Sequence, residues 1–356
     1  MASTVEEQVW EVLKGVRFPG MSRDIVSFGF VDSVRVDGGV IHVGLQINTQ
    51  NPEAAKAVRS EVEGKLAELG AGAVEVDLKV AAPPSAAQQV GQAPDLIPEV
   101  QHVVAVASGK GGVGKSTVAS NLAVRLGQLG HRVGLLDADI YGPSLPMMFG
   151  IEGQPVVHDN RLQPFEKHGI RVMSLGFILD VDQPVVWRGP MVMKAIEQML
   201  GDVDWGPLDY MIVDLPPGTG DAQLTISQRV PLAGAVIVTT PQDIALIDAR
   251  KGLAMFQKVQ VPVLGIVENM SGFACPHCGE VTEIFKTGGG ERTAEHLETP
   301  FLGAVPLDPA IMRGGDSGVP VVAAEPDGPH GVAFRQLAEA VVAGVSQQQR
   351  PKLSIF

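Results

Sequence analysis

Cysteine is scarce in this sequence: Cys275 and Cys278 are the only two in 356 residues. Such a pair excludes the disulfide framework of a small secreted domain and, in a cytosolic setting, suggests metal or redox work. Runs of basic residues are absent, and the net charge is −13 at pH 7. That balance argues against a nucleic-acid binder held by phosphate contacts. Long hydrophobic runs are absent too. The longest apolar stretches have strand length, so no transmembrane segment is expected. Met1–Lys14 carries acidic residues where an export signal needs a basic start, so the expected location is the cytoplasm. No internal repeat is evident. The length suits two or three domains with a sizeable core.

What is present centres on Gly109–Thr117, GKGGVGKST. It fits the phosphate-loop pattern G-x-x-x-x-G-K-[ST], with Gly109, Gly114, Lys115 and Ser116 in the fixed places. An apolar run, Val103–Ala107, precedes it and predicts a buried strand. Val118, Leu122, Leu126 and Leu129 come after it at helical spacing. Glycines let the backbone of Gly111, Gly112, Val113 and Gly114 turn its N–H groups inward around an anion. The helix N-terminus adds unpaired donors and partial positive charge. Lys115 can reach the terminal phosphates, the Ser116 hydroxyl can bind Mg²⁺, and Thr117 completes the string. Lys110 is an additional lysine; cradling phosphates does not require it, and it reads as either a surface charge or a second functional lysine.

Along the chain, residues 1–80 read as a small α+β unit. A capping box at Ser3 or Thr4 with Glu6 or Glu7 starts a helix. Ile25–Val36 and Val40–Ile47, around Asp37-Gly38-Gly39, predict a hairpin. Asn51, Pro52 and Glu53 open a second helix, closed at Gly70 and Gly72, and Val74–Val80 predicts a third strand. Residues 81–99, with Pro83, Pro84, Pro94 and Pro98 among small and polar residues, predict a flexible linker. From Val100 to 346 strands and helices alternate, the sign of an α/β domain with a parallel sheet covered on both faces. Expected strands are Arg132–Leu136, Ile170–Leu179, Leu208–Leu215, Gly234–Thr240, Val263–Val267 and Phe301–Val305. Expected helices are Pro190–Leu200, Ile247–Val259 and His330–Val345. Residues 347–356 read as a polar tail.

Ligands of an open α/β sheet lie beyond the carboxyl ends of its strands. Asp137, Asp139 and Asp214 fall there. Asp214, closing an apolar strand, reads as the acid that holds the Mg²⁺ shell. The Pro216-Pro217-Gly218-Thr219-Gly220 turn after it places a glycine N–H near the γ-phosphate. Asn269, at another strand end, has the donor and acceptor needed for a base edge.

Cys275-Pro276-His277-Cys278-Gly279 presents two thiolates to one metal centre. A tetrahedral zinc or a fully thiolate-ligated [4Fe–4S] cluster needs four cysteines. Two chains about a twofold axis supply them. A cluster bridging two subunits, a zinc ion, and a redox pair or inert thiols are the three readings of this segment.

GKGGVGKST, DADIYGPSLP, VDLPPGTGD, ENMSGFACPHCG and Gly288–Gly290 together resemble the Mrp/ApbC branch of the deviant phosphate-loop ATPases, a group that includes ParA, MinD and the nitrogenase iron protein. The resemblance spans Val100–Val345. It implies that Lys110 reaches across a homodimer to the partner's nucleotide. It implies that Asp139 lies in a switch that orients or activates the attacking water, while Asp137 supports the metal shell. It also implies that Asn269 reads adenine, with Pro306, Leu307, Asp308 and Pro309 as the other wall of the base pocket. Lys110, Lys115, Asp139 and Asp214 are thus the expected catalytic residues. The front region resembles the MIP18 family of iron–sulfur assembly factors, without the cysteine that family often carries, which favours a docking or structural role. The family implies a cytosolic, dimeric, Mg²⁺-dependent ATPase that receives a [4Fe–4S] cluster and passes it from a donor to apo-proteins, with no nucleic-acid or membrane partner. ParA and MinD relatives lack the paired cysteines, and residues 346–356 cannot form the basic membrane helix that ends MinD. The competing classes are a positioning ATPase with a structural zinc or inert thiols, and a Mg²⁺-dependent kinase or ligase of the dethiobiotin-synthetase type. The latter is weakened because no motif in the sequence marks a second substrate pocket.

Overall fold

The computed structural model describes residues 5–16, 24–26, 30–37, 40–48, 52–67, 73–81, 95–178, 189–218, 220, 223, 226–227 and 230–347. These fall into two compact units, one within residues 1–92 and one within residues 93–354. Most of the expected linker, the tail after Gln347, Gly38-Gly39, Asn51, Gly70, Gly72 and Thr219 lie outside the described residues.

The first unit is α+β. Helix α1 (Val5–Leu13) and helix α2 (Pro52–Ala67) pack with strands β1 (Val31–Asp37), β2 (Val40–Asn48) and β3 (Ala73–Ala81). The sheet order is β1-β2-β3, antiparallel then parallel. Alternate residues of β2 (Ile41, Val43, Leu45) turn inward and meet Val9, Leu13, Val58, Val62 and Leu66 from the helices. The first strand starts at Val31, not Ile25. Ile25 is instead fully buried in the core of this unit, and its N–H donates to the Val16 carbonyl, just beyond α1.

The second unit is an eight-stranded sheet. Its strands are β4 (Val100–Ser108), β5 (Val133–Asp137), β8 (Phe165–Lys167), β9 (Ile170–Ser174), β10 (Leu208–Asp214), β11 (Leu232–Thr239), β12 (Val263–Asn269) and β15 (Phe301–Val305). A short hairpin, β6 (Val157–His158) and β7 (Arg161–Leu162), precedes β8. The order is β15-β12-β11-β4-β10-β5-β9-β8, and every pair is parallel except β8 with β9. All of β5 and β11 is buried, which explains why these segments read as unbroken apolar runs.

Helix α3 (Lys115–Gln128) comes directly after the loop that leaves β4. Val118, Leu122 and Leu126 are fully buried, each worth about 1.5–3 kcal/mol. That outweighs the ~1 kcal/mol cost of Gly127 inside the helix, a position where a side chain would meet Ile170 at 2.9 Å. Leu129, expected on the same face, caps the helix and is exposed, because the helix ends one residue earlier. Helices α4 (Leu145–Phe149), α5 (Gly189–Gly201), α6 (Asp243–Lys258), α7 (Gly289–His296), α8 (Pro309–Asp316), α9 (Val321–Ala324) and α10 (Pro329–Ser346) are further described helices of this unit. In α5, Ala195, Ile196 and Met199 are buried as expected, whereas Met191 is exposed. In α10, Leu337, Ala338 and Val341 are buried and Val332 is exposed; Phe334, fully buried, holds the core there. No described helix is long and apolar enough to cross a membrane.

Candidate nucleotide and thiol site

The phosphate loop joins β4 to α3. Gly109 has no room for a side chain, since a Cβ would sit 2.1 Å from the Asp248 carbonyl oxygen. Gly112 and Gly114 have φ of 80° and 78°, the left-handed region that disfavours other residues. The Ser108 hydroxyl donates to the Lys110 carbonyl at 2.9 Å, fixing the start of the loop. Val113 is buried and anchors its middle. Gly114 is the N-cap of α3 and no side chain caps that end, which leaves N–H groups for an anion. Lys110 is half-buried, and Ser116 and Thr117 lie on the first turn of α3.

Lys115 is buried and meets the acids at the sheet's carboxyl edge. Its Nζ lies 2.6 Å from Asp214 Oδ1, 3.7 Å from Asp139 Oδ2 and 3.4 Å from Ser116 Oγ. β4, β5 and β10 are neighbours in the sheet, and this adjacency brings Lys115, Asp137, Asp139 and Asp214 together. Asp214 is fully buried, and its Oδ2 has no hydrogen-bond partner. An orphaned carboxylate oxygen and a serine hydroxyl, on two side chains that share contact with Lys115, are hard-oxygen donors of the kind Mg²⁺ takes. The residues present therefore fit a Mg²⁺ ion.

Asp137 has a different geometry from Asp214. Oδ1 accepts from the Asp139 N–H at 3.1 Å, and Oδ2 accepts from the N–H groups of Ser144 and Leu145 and from Ser174 Oγ at 3.0 Å. Asp137 thus organises the loop 138–145 rather than offering a free oxygen. Burial first, and the charge of Asp214 second, push its carboxyl up to about 7. Burial also raises Asp139, while Lys115 opposes the rise. On the other side, the Gly218 N–H donates to the Ser108 carbonyl at 2.9 Å, which ties the turn after Asp214 to the phosphate loop.

Asn269 ends β12 beneath the loop, and its Nδ2 donates to the Val113 carbonyl at 2.9 Å. Pro306 comes just after β15, half-buried. Asp308 caps α8 through the Ala310 N–H at 2.6 Å and pairs with His330 Nε2 at 3.2 Å. Its carboxylate is therefore used in holding this wall in place.

The cysteines lie just beyond β12. A hairpin of β13 (Phe273–Ala274) and β14 (Val281–Thr282) carries them on its turn. The Gly279 N–H donates to the Cys275 carbonyl, and Gly279 has φ of 75°. Cys275 is half-buried, Cys278 is exposed, and both are free thiols. N–H groups of His277 and then Cys278 face the Cys275 sulfur and hold its pKa below the ordinary thiol value. Among the described residues, no group of three or more His, Cys, Asp or Glu side chains within the chain could hold a metal.

Reading the sequence missed Glu268 and Ser174. Glu268 is fully buried and accepts from Ser271 Oγ, the Gly288 N–H and the Gly290 N–H. A charged residue closing the apolar run Val263–Val267 was the available signal.

Residues 99–342 match the family model of the NUBPL iron-transfer P-loop NTPases, and residues 6–78 match that of an iron-sulfur cluster assembly protein. An iron-sulfur cluster carrier protein of Synechocystis is 45% identical over 96% of this chain and 98% of its own. One of Escherichia coli K12 is 43% identical over 93% and 90%. A nucleotide-binding protein of Archaeoglobus fulgidus, solved in complex with ADP, is 43% identical with a TM-score of 0.58, covering 64% of this chain and 90% of that one. The chain belongs to the NUBPL iron-transfer P-loop NTPase family, with an iron-sulfur cluster assembly region in front of the NTPase fold.

Proposed function

We propose that this protein is a cytoplasmic, ATP-hydrolysing iron–sulfur cluster carrier whose homodimer holds a [4Fe–4S] cluster between Cys275 and Cys278 of each chain and passes it to apo-proteins. One observation carries the reading: a hairpin turn with two free thiols, Cys275 half-buried and Cys278 exposed, follows the strand whose last residue, Asn269, touches the phosphate loop. The cluster is cargo, and two thiolates per chain are half of what it needs. A second copy supplies the other half, on a twofold interface that also lets Lys110 reach the partner's nucleotide.

Each residue of one chain then has its own role. Gly109 and Gly111–Gly114 supply backbone donors to the phosphates of ATP. Lys115 exchanges its carboxylate partners for the terminal phosphates. Ser116 and Asp214 would hold Mg²⁺, which would offset phosphate charge. Thr117 extends the first turn against the nucleotide, and Gly218 offers an N–H on the γ-phosphate side. Asp139 orients the attacking water and accepts its proton; the upward shift of its carboxyl suits a proton acceptor. Asp137 fixes the loop that carries Asp139. The Asn269 side-chain carbonyl accepts from the adenine amino group, Pro306 lies against the base, and Asp308 secures that wall. The arrangement 1–80, 81–99, 100–346 and 347–356 is proposed as docking module, linker, ATPase and tail.

Anaerobic reconstitution with iron and sulfide tests the reading. It gives a brown protein with broad visible absorption, and Cys275→Ser with Cys278→Ser abolishes the colour while ADP still binds. A colourless wild-type protein that retains zinc overturns the carrier reading in favour of a positioning ATPase with a structural metal.

A further inference from the structure

Two adjacent residues at the end of β12 hold two different parts of the site. Asn269 holds the phosphate loop, through Nδ2 on the Val113 carbonyl at 2.9 Å. The approach is close: a Cβ on Gly114 would lie 2.2 Å from Asn269 Nδ2. Glu268 holds the far end of the thiol segment. Its Oε1 accepts from Ser271 Oγ at 2.6 Å, at the root of the cysteine hairpin, and from the Gly288 N–H at 2.9 Å, where the chain leaves it. Its Oε2 accepts from the Gly290 N–H at 2.5 Å.

The Glu268 carboxylate thus closes residues 271–290 into a loop clasped at both ends. It also sits at the N-terminus of α7, whose N-cap, Gly288, has no side chain to do that work. A carboxylate is stabilised there by the helix dipole and by charge-assisted N–H bonds. Gly290 leaves room for it, since a Cβ would meet Glu268 Cβ at 2.9 Å. Glu268 is fully buried and Asn269 nearly so, which shields both sets of contacts from competing water. Successive strand residues point to opposite sides, which is why one can face the loop and the next the helix. The root is secured again where the Ser271 N–H donates to the Val305 carbonyl and the Leu307 N–H to the Gly272 carbonyl. By contrast, the Lys286–Asp243 pair between hairpin and α6 is exposed on both sides and adds little.

We propose that Glu268 and Asn269 act as a rigid coupler, two positioning residues through which occupancy of the phosphate loop sets the order of the cysteine hairpin. The coupler rests on the reading of Gly109–Thr117 as the nucleotide site and of Cys275 and Cys278 as the cargo site. Its test involves no cluster, so it can fail or succeed apart from the carrier reading. Nucleotide that orders the loop fixes the Val113 carbonyl, hence Asn269, hence Glu268 and the clasp on Gly288 and Gly290. By linkage, the reverse influence has the same size.

Hydrogen exchange on the full chain, with and without Mg²⁺-ADP, reads this directly. In wild-type protein ADP slows exchange in residues 109–117 and also, by about fivefold or more, in residues 273–290. Glu268→Gln keeps the volume but sets an amide N–H₂ against backbone donors. It loses the response of 273–290 while keeping that of 109–117. Ser271→Ala, which removes one donor and leaves both glycine contacts, keeps both responses. An unchanged hairpin response in Glu268→Gln overturns the coupler. So does a wild-type hairpin whose exchange ignores ADP, an outcome that decides the matter even where Glu268→Gln fails to fold.

Discussion

Replacing Lys115 with methionine keeps most of the side chain's apolar stem and removes its charge. In nucleotide-free protein that charge sits among carboxylates. Lys115 Nζ is 2.6 Å from Asp214, a fully buried carboxylate, and 3.7 Å from Asp139. Breaking a buried pair by removing one partner costs about 3–5 kcal/mol, because the other charge is left uncompensated. For a domain of this size the loss corresponds to a fall in Tm of about 6–20 °C. The pH dependence has a definite sign. Asp137 has a folded-state pKa raised to about 7, so its contribution to stability is full below the unfolded value and is lost as pH rises through about 7. Lys115 opposes that loss, so Lys115→Met falls further behind wild type as pH goes from ~6 to ~8. Urea denaturation in chelator, without nucleotide, measures both effects. Adding Asp214→Asn to Lys115→Met restores part of the stability. A single variant within ~0.5 kcal/mol of wild type at pH ~7.5, or a gap that stays constant with pH, rules out this role for the lysine.

Other expectations concern the loop and the thiols. Lys110→Ala leaves ADP affinity nearly intact and depresses ATP turnover; equal turnover returns Lys110 to the status of a surface charge. Gly109→Ala forces backbone movement against the Asp248 carbonyl and loses at least about 2 kcal/mol of stability together with ADP binding, read by urea denaturation and calorimetry. The pH profile of alkylation at Cys275 has its midpoint below that of the same thiol in urea-unfolded protein, and a midpoint at or above the unfolded one contradicts the N–H contacts around its sulfur.

The phosphate loop, its strand and its helix were legible because local rules fix them: glycines where φ is positive, an apolar run for a strand buried on both faces, and three-to-four spacing for α3. The parallel sheet was legible for the same reason. What was hidden depends on contacts distant in sequence. Glu268 meets Gly288 and Gly290 across the cysteine hairpin, and Asp137 meets Ser174 across the sheet. No spacing rule announces either pair. Ile25 misled for a related reason: its apolar run reads as a strand, yet it is buried in the core of the first unit with its N–H on the Val16 carbonyl. Met191, Val332 and Leu129 show that helical spacing alone does not say which apolar residues face the core.

Two chains sharing one cluster is the central claim of the proposed function. Anaerobic native mass spectrometry of the reconstituted full-length protein tests it without an intermediary. One [4Fe–4S] unit per two chains is expected, carried by dimers and missing from Cys275→Ser. A cluster on single chains, or a dimer that holds zinc in its place, contradicts it.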